Sequence, residues 1–72
     1  MWRSMEVASE RVESTGKIAV ALLDLGTATV SEIARATGLN RADACRWLYD
    51  MVRHGTAESV PGPGAPRYRL ML

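Results

Sequence analysis

The run NRADACRWLYDMVRH, Asn40 to His54, places Arg41, Arg46 and Arg53 on one segment, with Tyr49 between the last two. A guanidinium group is a planar fork of N–H donors that fits guanine O6 and N7 together, or grips a phosphate. Asn40 stands where it can cap a helix, and the free amides behind such a cap suit an anion. Arg67 and Arg69 flank Tyr68 near the end of the chain. In a strand, alternation turns both arginines to the side opposite Tyr68. These residues are equipped to hold a polyanion. The residues for a reaction are missing: Cys45 and His54 are the only Cys and His, too few for a zinc cluster. There is no phosphate-cradling glycine loop, paired acidic site or nucleophile constellation. The sequence predicts a non-enzymatic protein with no cofactor and no metal.

Each candidate also has a plainer reading. Arg46 is three residues after Asp43 and four before Asp50, the spacing of ordinary ion pairs on a helix surface. Asn40 serves as a cap whether or not anything binds. Arg53 is favoured in a last helical turn by the helix dipole alone. Arg67 and Arg69 can guard an edge strand against aggregation. Cys45 lies near the cations that lower a thiol pKa, but a half-buried, inert thiol is the simpler expectation. The formal net charge is only +1, so the case for a polyanionic partner rests on where the charges sit.

The elements that must position these residues follow from periodicity. Residues 1–9 show no clear period and read as a flexible or partner-contacting extension, in which Trp2 either packs back or meets a second subunit. Residues 10–72 read as the folded domain. A first helix is predicted within Arg11 to Leu25, with Val12, Ile18, Ala19, Leu22 and Leu25 on its inner side and Thr15 as an alternative start. Gly26 stops it, and residues 26–28 form a linker able to bridge to a sheet edge. Thr29 and Glu32 have the spacing of a capping box. They open a second helix of about two turns, with Val30, Ile33 and Ala34 inward and Gly38 as its stop. Leu39 then drops into the core. Asn40 opens a third helix, with Asp43 in its first turn, Ala44, Leu48, Met51 and Val52 as the inward stripe, and Gly55 as its end. Trp47 fills a gap beside this stripe. Thr56 to Val60 reads as a strand, PGPGAP (Pro61 to Pro66) as a stiff turn, and Arg67 to Leu72 as a second strand with Tyr68, Leu70 and Leu72 on one face.

Three helices and a hairpin must then share one core, because an isolated hairpin is marginal in water. The predicted core is Ile18, Leu22, Ile33, Leu39, Ala44, Leu48, Met51, Val52, Tyr68 and Leu70. The fold class is mainly α with a small β-hairpin: a three-helix core plus a wing.

SEIARATGLNR, Ser31 to Arg41, resembles the helix-turn-helix stretch of winged-helix DNA-binding proteins, and the element order from Val12 to Leu72 is similar to that of the small bacterial MarR-type regulators. The resemblance implies a recognition helix at Asn40 to His54 and a wing at Val60 to Arg67. CRWLY followed by PRY also resembles the winged helices that bind Z-form nucleic acid. Arg46, Tyr49 and Pro66 match that pattern, while Cys45 stands in place of its asparagine, Tyr68 of its tryptophan and Ala65 of a proline.

On this reading the partner is double-stranded DNA and the role that of a small transcriptional regulator. The DNA-binding residues are Asn40, Arg41, Arg46, Tyr49, Arg53, Arg67 and Arg69. The alternative is a protein–protein interaction winged helix, supported by the low charge and by Asp43 and Asp50. Helix 1 with the N-terminal extension is the candidate seam of a homodimer. The longest apolar run, Ile18 to Leu23, is too short to span a membrane, and a cytoplasmic, reducing setting is expected.

Overall fold

A computed structural model describes the backbone of residues 2–72 and the side chains of residues 12–72. The elements are α1 (Trp2–Leu25), β1 (Ala28–Thr29), α2 (Val30–Thr37), α3 (Arg41–Arg53), β2 (Ala57–Val60) and β3 (Arg67–Leu70). α1, α2 and α3 pack on one another, and the sheet closes the side of the core that they leave open. The strand order is β1-β3-β2, antiparallel throughout. Thr29 faces Arg67, and Arg67 in turn faces Val60, so the wing is tied to the entrance of the helix-turn-helix.

Local chemistry sets the boundaries. Gly26, at φ 79°, donates its N–H to the Leu22 carbonyl and ends α1. In the capping box at α2, the Glu32 N–H donates to Thr29 Oγ1 at 3.2 Å and the Thr29 N–H donates to Glu32 Oε1 at 2.9 Å. Thr37, half-buried, donates its hydroxyl to the Ile33 carbonyl at 2.8 Å, which answers the need for a partner at that inward position. Gly38, at φ 77°, turns the chain in the left-handed region where a side chain is strained. Asn40 Oδ1 accepts from the Asp43 N–H at 2.8 Å and opens α3.

Ile18, Leu22, Ile33, Ala44, Leu48 and Met51 are buried as expected, and Leu39, Val52, Tyr68 and Leu70 are half-buried against them. Trp47, Ala28 and Ala57 complete this cluster. The two alanines are small because the short strands β1 and β2 lie close over the helices.

Several expectations are corrected. α1 does not start near Arg11 or at Thr15; its backbone is helical from Trp2, through the segment read as an extension. That segment has no proline or glycine and includes Met5, Glu6 and Ala8, which favour helix. The contacts of Trp2 lie outside the described residues. Val12 and Leu25 are exposed, because the inner side of α1 runs through Ser14, Ile18, Ala21 and Leu22. Leu72 lies beyond β3 and is exposed. β3 is the central strand, so Arg67 and Arg69 do not guard an edge. Thr56 lies outside the strand; its N–H and hydroxyl both donate to the Met51 carbonyl and secure the end of α3.

Leu48 is only 2% exposed, on the helix that all other layers contact. Leu48→Ala should cost about 2–5 kcal/mol in urea-induced unfolding, a large share of the stability of a domain this small.

Candidate nucleic-acid interface

Burial sets the rotation of α3. Ala44, Trp47, Leu48 and Met51 are buried, and at 100° per residue the opposite line is Ala42, Arg46, Tyr49 and Arg53. All four are exposed, and Tyr49 is 66% exposed. Arg41 and Cys45, also exposed, sit at the margin nearer the wing. The expectation of a half-buried thiol at Cys45 is therefore corrected: α3 turns that position away from the core stripe. The other margin carries Asp43 and Asp50.

The charges are partitioned. Asp43 Oδ2 accepts from Asn40 Nδ2 at 3.1 Å, within the cap. Asp50 Oδ1 lies 3.6 Å from His54 Nδ1. Glu58 pairs with Arg69 across β2 and β3. Arg67 Nη1 donates to Glu32 Oε1 at 3.3 Å, joining the wing to the capping box of α2. Among the described residues no carboxylate pairs with Arg41, Arg46 or Arg53. Arg46 is steadied differently: its guanidinium carbon lies 5.0 Å from the centroid of the Trp47 ring. A cation held over an indole gains about 0.5–1 kcal/mol at an exposed site and keeps its donors outward.

The structure thus brings Arg41, Arg46, Tyr49 and Arg53 onto one open side of α3 and puts Asn40 at its start. It places Arg67 and Arg69 on the sheet, each engaged by a carboxylate of the same chain. The sequence alone does not show Glu32 in that role. Its capping position was legible, but the contact spans 35 residues of sequence and exists only because Thr29 pairs with Arg67. Tyr68 faces α3, as its place on the core-facing side of the strand requires. With Cys45, Leu48, Tyr49, Val52 and Ser59 it lines a crevice of about 230 Å³ between helix and wing.

Residues 18–61 match the IclR helix-turn-helix domain, more than half of the chain. The chain belongs to the IclR helix-turn-helix domain family. This IclR-type domain is a winged helix-turn-helix DNA-binding domain. The matched span ends before β3, so the family match does not reach Arg67 or Arg69. No curated protein matches the chain. Among solved structures, the Zalpha domain of Carassius auratus PKZ, crystallised in complex with Z-DNA, has 24% identity and a TM-score of 0.78, over 86% of this chain and 98% of that one. A MarR family transcriptional regulator from Silicibacter pomeroyi has 18% identity and a TM-score of 0.74, over 93% and 48%. The oxidised form of MarR from E. coli has 20% and 0.70, over 76% and 40%. At these identities the likeness establishes the fold, and the chain spans less than half the length of the two MarR-type chains. No helix among the described residues is long and apolar enough to cross a membrane.

The Thr29 N–H bond to Glu32 does most to hold that carboxyl below its ordinary value of 4.5; desolvation opposes it, and the Thr29 hydroxyl bond and the Arg67 and Arg35 charges add to the lowering. A carboxylate with a lowered folded pKa stabilises the fold above its unfolded pKa and loses that contribution as pH falls through the folded value. An NMR titration should place the Glu32 midpoint below 4.5. Glu32→Gln should remove the corresponding acid-side loss of stability, leaving the other carboxylates unaffected.

Proposed function

We propose that this domain binds double-stranded DNA in a sequence-dependent way, as the reading head of a small transcriptional regulator. α3 lies in the major groove. The observation that carries this reading is the open side of α3, where Arg41, Arg46 and Arg53 have no carboxylate partner among the described residues while Asp43 is engaged by Asn40 and Asp50 Oδ1 lies 3.6 Å from His54 Nδ1. A surface shaped for a protein partner would be broken by those acids. Here they stand at one margin and are internally engaged.

Arg46 is the base reader, since it stands mid-helix with its fork aimed outward. Arg41 and Asn40 meet phosphate or an early base at the helix start, and Arg53 meets backbone at the other end. Tyr49 packs on sugar or base edge between them. The wing rests on flanking backbone through Arg67 and Arg69. Their exposed pairs with Glu32 and Glu58 are worth about 0–1 kcal/mol each, so exchanging carboxylate for phosphate costs little.

A second reading has its own support. The solved domain similar over nearly its whole length is described in complex with Z-DNA. Arg46, Tyr49 and Pro66 follow the pattern that suggests such a ligand, with Tyr68 in place of its tryptophan, and Tyr49 and Tyr68 line one crevice. Cys45 in place of an asparagine removes a polar contact from that pattern, and major-groove reading is preferred.

Fluorescence titrations on a B-form duplex selected from a random pool, against an alternating d(CG) duplex held in the Z form, test both readings. The selected duplex should bind more tightly. On it, Arg46→Ala should cost about 1–3 kcal/mol and relax preference at one base pair, while Arg41→Ala or Arg53→Ala should weaken all sequences alike and lower the salt slope by about one. Preference for the Z-form duplex would transfer the assignment to the second reading, and absence of salt-dependent binding to either duplex would remove both.

A further inference from the structure

The arginines assigned to the DNA face fall into two groups. Arg41, Arg46 and Arg53 on α3 have no carboxylate partner among the described residues. Arg67 and Arg69 on β3 each have one. These two stand on the exposed side of the central strand and are held from opposite flanks. Arg67 Nη1 donates to Glu32 Oε1 at 3.3 Å, toward α2. Arg69 donates to Glu58, which faces it across the ladder on β2. All four side chains remain in contact with solvent.

An exposed ion pair adds little to stability, and neither the cap nor the ladder depends on these two. The Glu32 oxygen that accepts from Arg67 also accepts from the Thr29 N–H at 2.9 Å, so Arg67 can leave without opening the capping box. β2 and β3 pair from Ala57 and Leu70 to Val60 and Arg67 whether or not Glu58 meets Arg69. For a phosphate the pairs matter more. Each arginine must give up its carboxylate to grip the backbone, and the abandoned carboxylate stays beside the phosphate as a like charge. Such a juxtaposition acts on the choice of partner more than on stability. On a cognate site the seated α3 fixes the wing against one stretch of backbone, and the exchange is made. On other sequences α3 is not seated, nothing fixes the wing, and the arginines stay with their carboxylates.

We propose that Glu32 and Glu58 are specificity-determining residues: by holding Arg67 and Arg69, they keep the wing from gripping the DNA backbone until α3 is seated in its site. This rests on the DNA reading above and adds to it the residues that suppress binding to unrelated sequence. The sequence-independent grip of a domain comes from its cations on phosphate, and here the share of the wing is withheld.

Fluorescence titrations of the full chain on the selected duplex and on a random-sequence duplex, each at several salt concentrations, test this. Glu32→Gln keeps the capping box, because glutamine serves at that position, and Glu58→Gln changes no backbone bond of the ladder. Each should tighten binding to the random duplex by about two- to fivefold, the scale of an exposed pair, and to the selected duplex by less than about twofold, so that the specificity ratio falls. The salt slope on the random duplex should steepen by about one as an arginine is released to phosphate. The effect of Glu32→Gln should vanish in an Arg67→Ala background, and that of Glu58→Gln in an Arg69→Ala background. Glu13→Gln on α1, where the carboxylate pairs with Lys17, makes the same change of net charge and should leave the ratio as it is. Equal tightening on both duplexes overturns the proposal and leaves the DNA reading in place. So does an effect that persists without the arginine, or a ratio that falls as far with Glu13→Gln. A wild-type chain that binds neither duplex overturns both.

Discussion

The rotation of α3 about its own axis is the constraint on which the rest of the molecule depends. Ala44, Trp47, Leu48 and Met51 are buried together, and a one-residue slip would swing this stripe by about 100°. Burial of side chains this size is worth about 1.5–3 kcal/mol each relative to exposure. That far outweighs any interaction available to the arginines on the other side. The position of Arg46 and Arg53 in space is therefore set by the apolar residues between them in sequence. Trp47 links the two roles directly, since its buried ring is also what Arg46 lies against.

The same economy appears where the wing meets the helix-turn-helix. α2 has eight residues, too few to persist alone in water. It is held by Ile33 in the core, by the Thr29–Glu32 capping box at its start and by Gly38 at its end. Glu32 then serves a second time, accepting from Arg67 of β3. Neither contact is strong, and both are exposed. Their value is geometric. Thr29 pairs with Arg67 in the sheet, so the cap and the ion pair act on the same corner and fix the angle at which the wing leaves the domain.

Much of this was legible in the sequence because the deciding signals were local. The capping box, the Asn40 cap, the Gly26 and Gly38 stops and the three-four spacing of Ile18, Leu22, Ala44, Leu48 and Met51 each act over a few residues. What was not legible depended on distance or on which side of a helix counts. The Arg67–Glu32 pair needs the β1–β3 register, which no short window contains. The central place of β3 depends on two residues, Ala28 and Thr29, joining the sheet. The helical backbone of the first turns of α1 was not legible, because no core-facing period marks that segment. Val12 shares the helical spacing of the inner residues only approximately and falls on the exposed side. The residues proposed to meet DNA could be located on α3 from spacing alone, but their freedom from carboxylates could not, since it depends on where Asn40 and His54 hold Asp43 and Asp50.

The charge distribution also limits what one domain can do. With Arg67 and Arg69 engaged by carboxylates of the chain and no cation within PGPGAP, the uncompensated cations on this surface are concentrated on α3. A handful of phosphate contacts yields weak, salt-sensitive association, and one recognition helix reads only a few base pairs. Tight and specific binding by such a surface calls for a second reading head at a set distance. The core takes only one side of α1, so the helix that buttresses α3 leaves Val12, Val20 and Leu23 exposed on its other side.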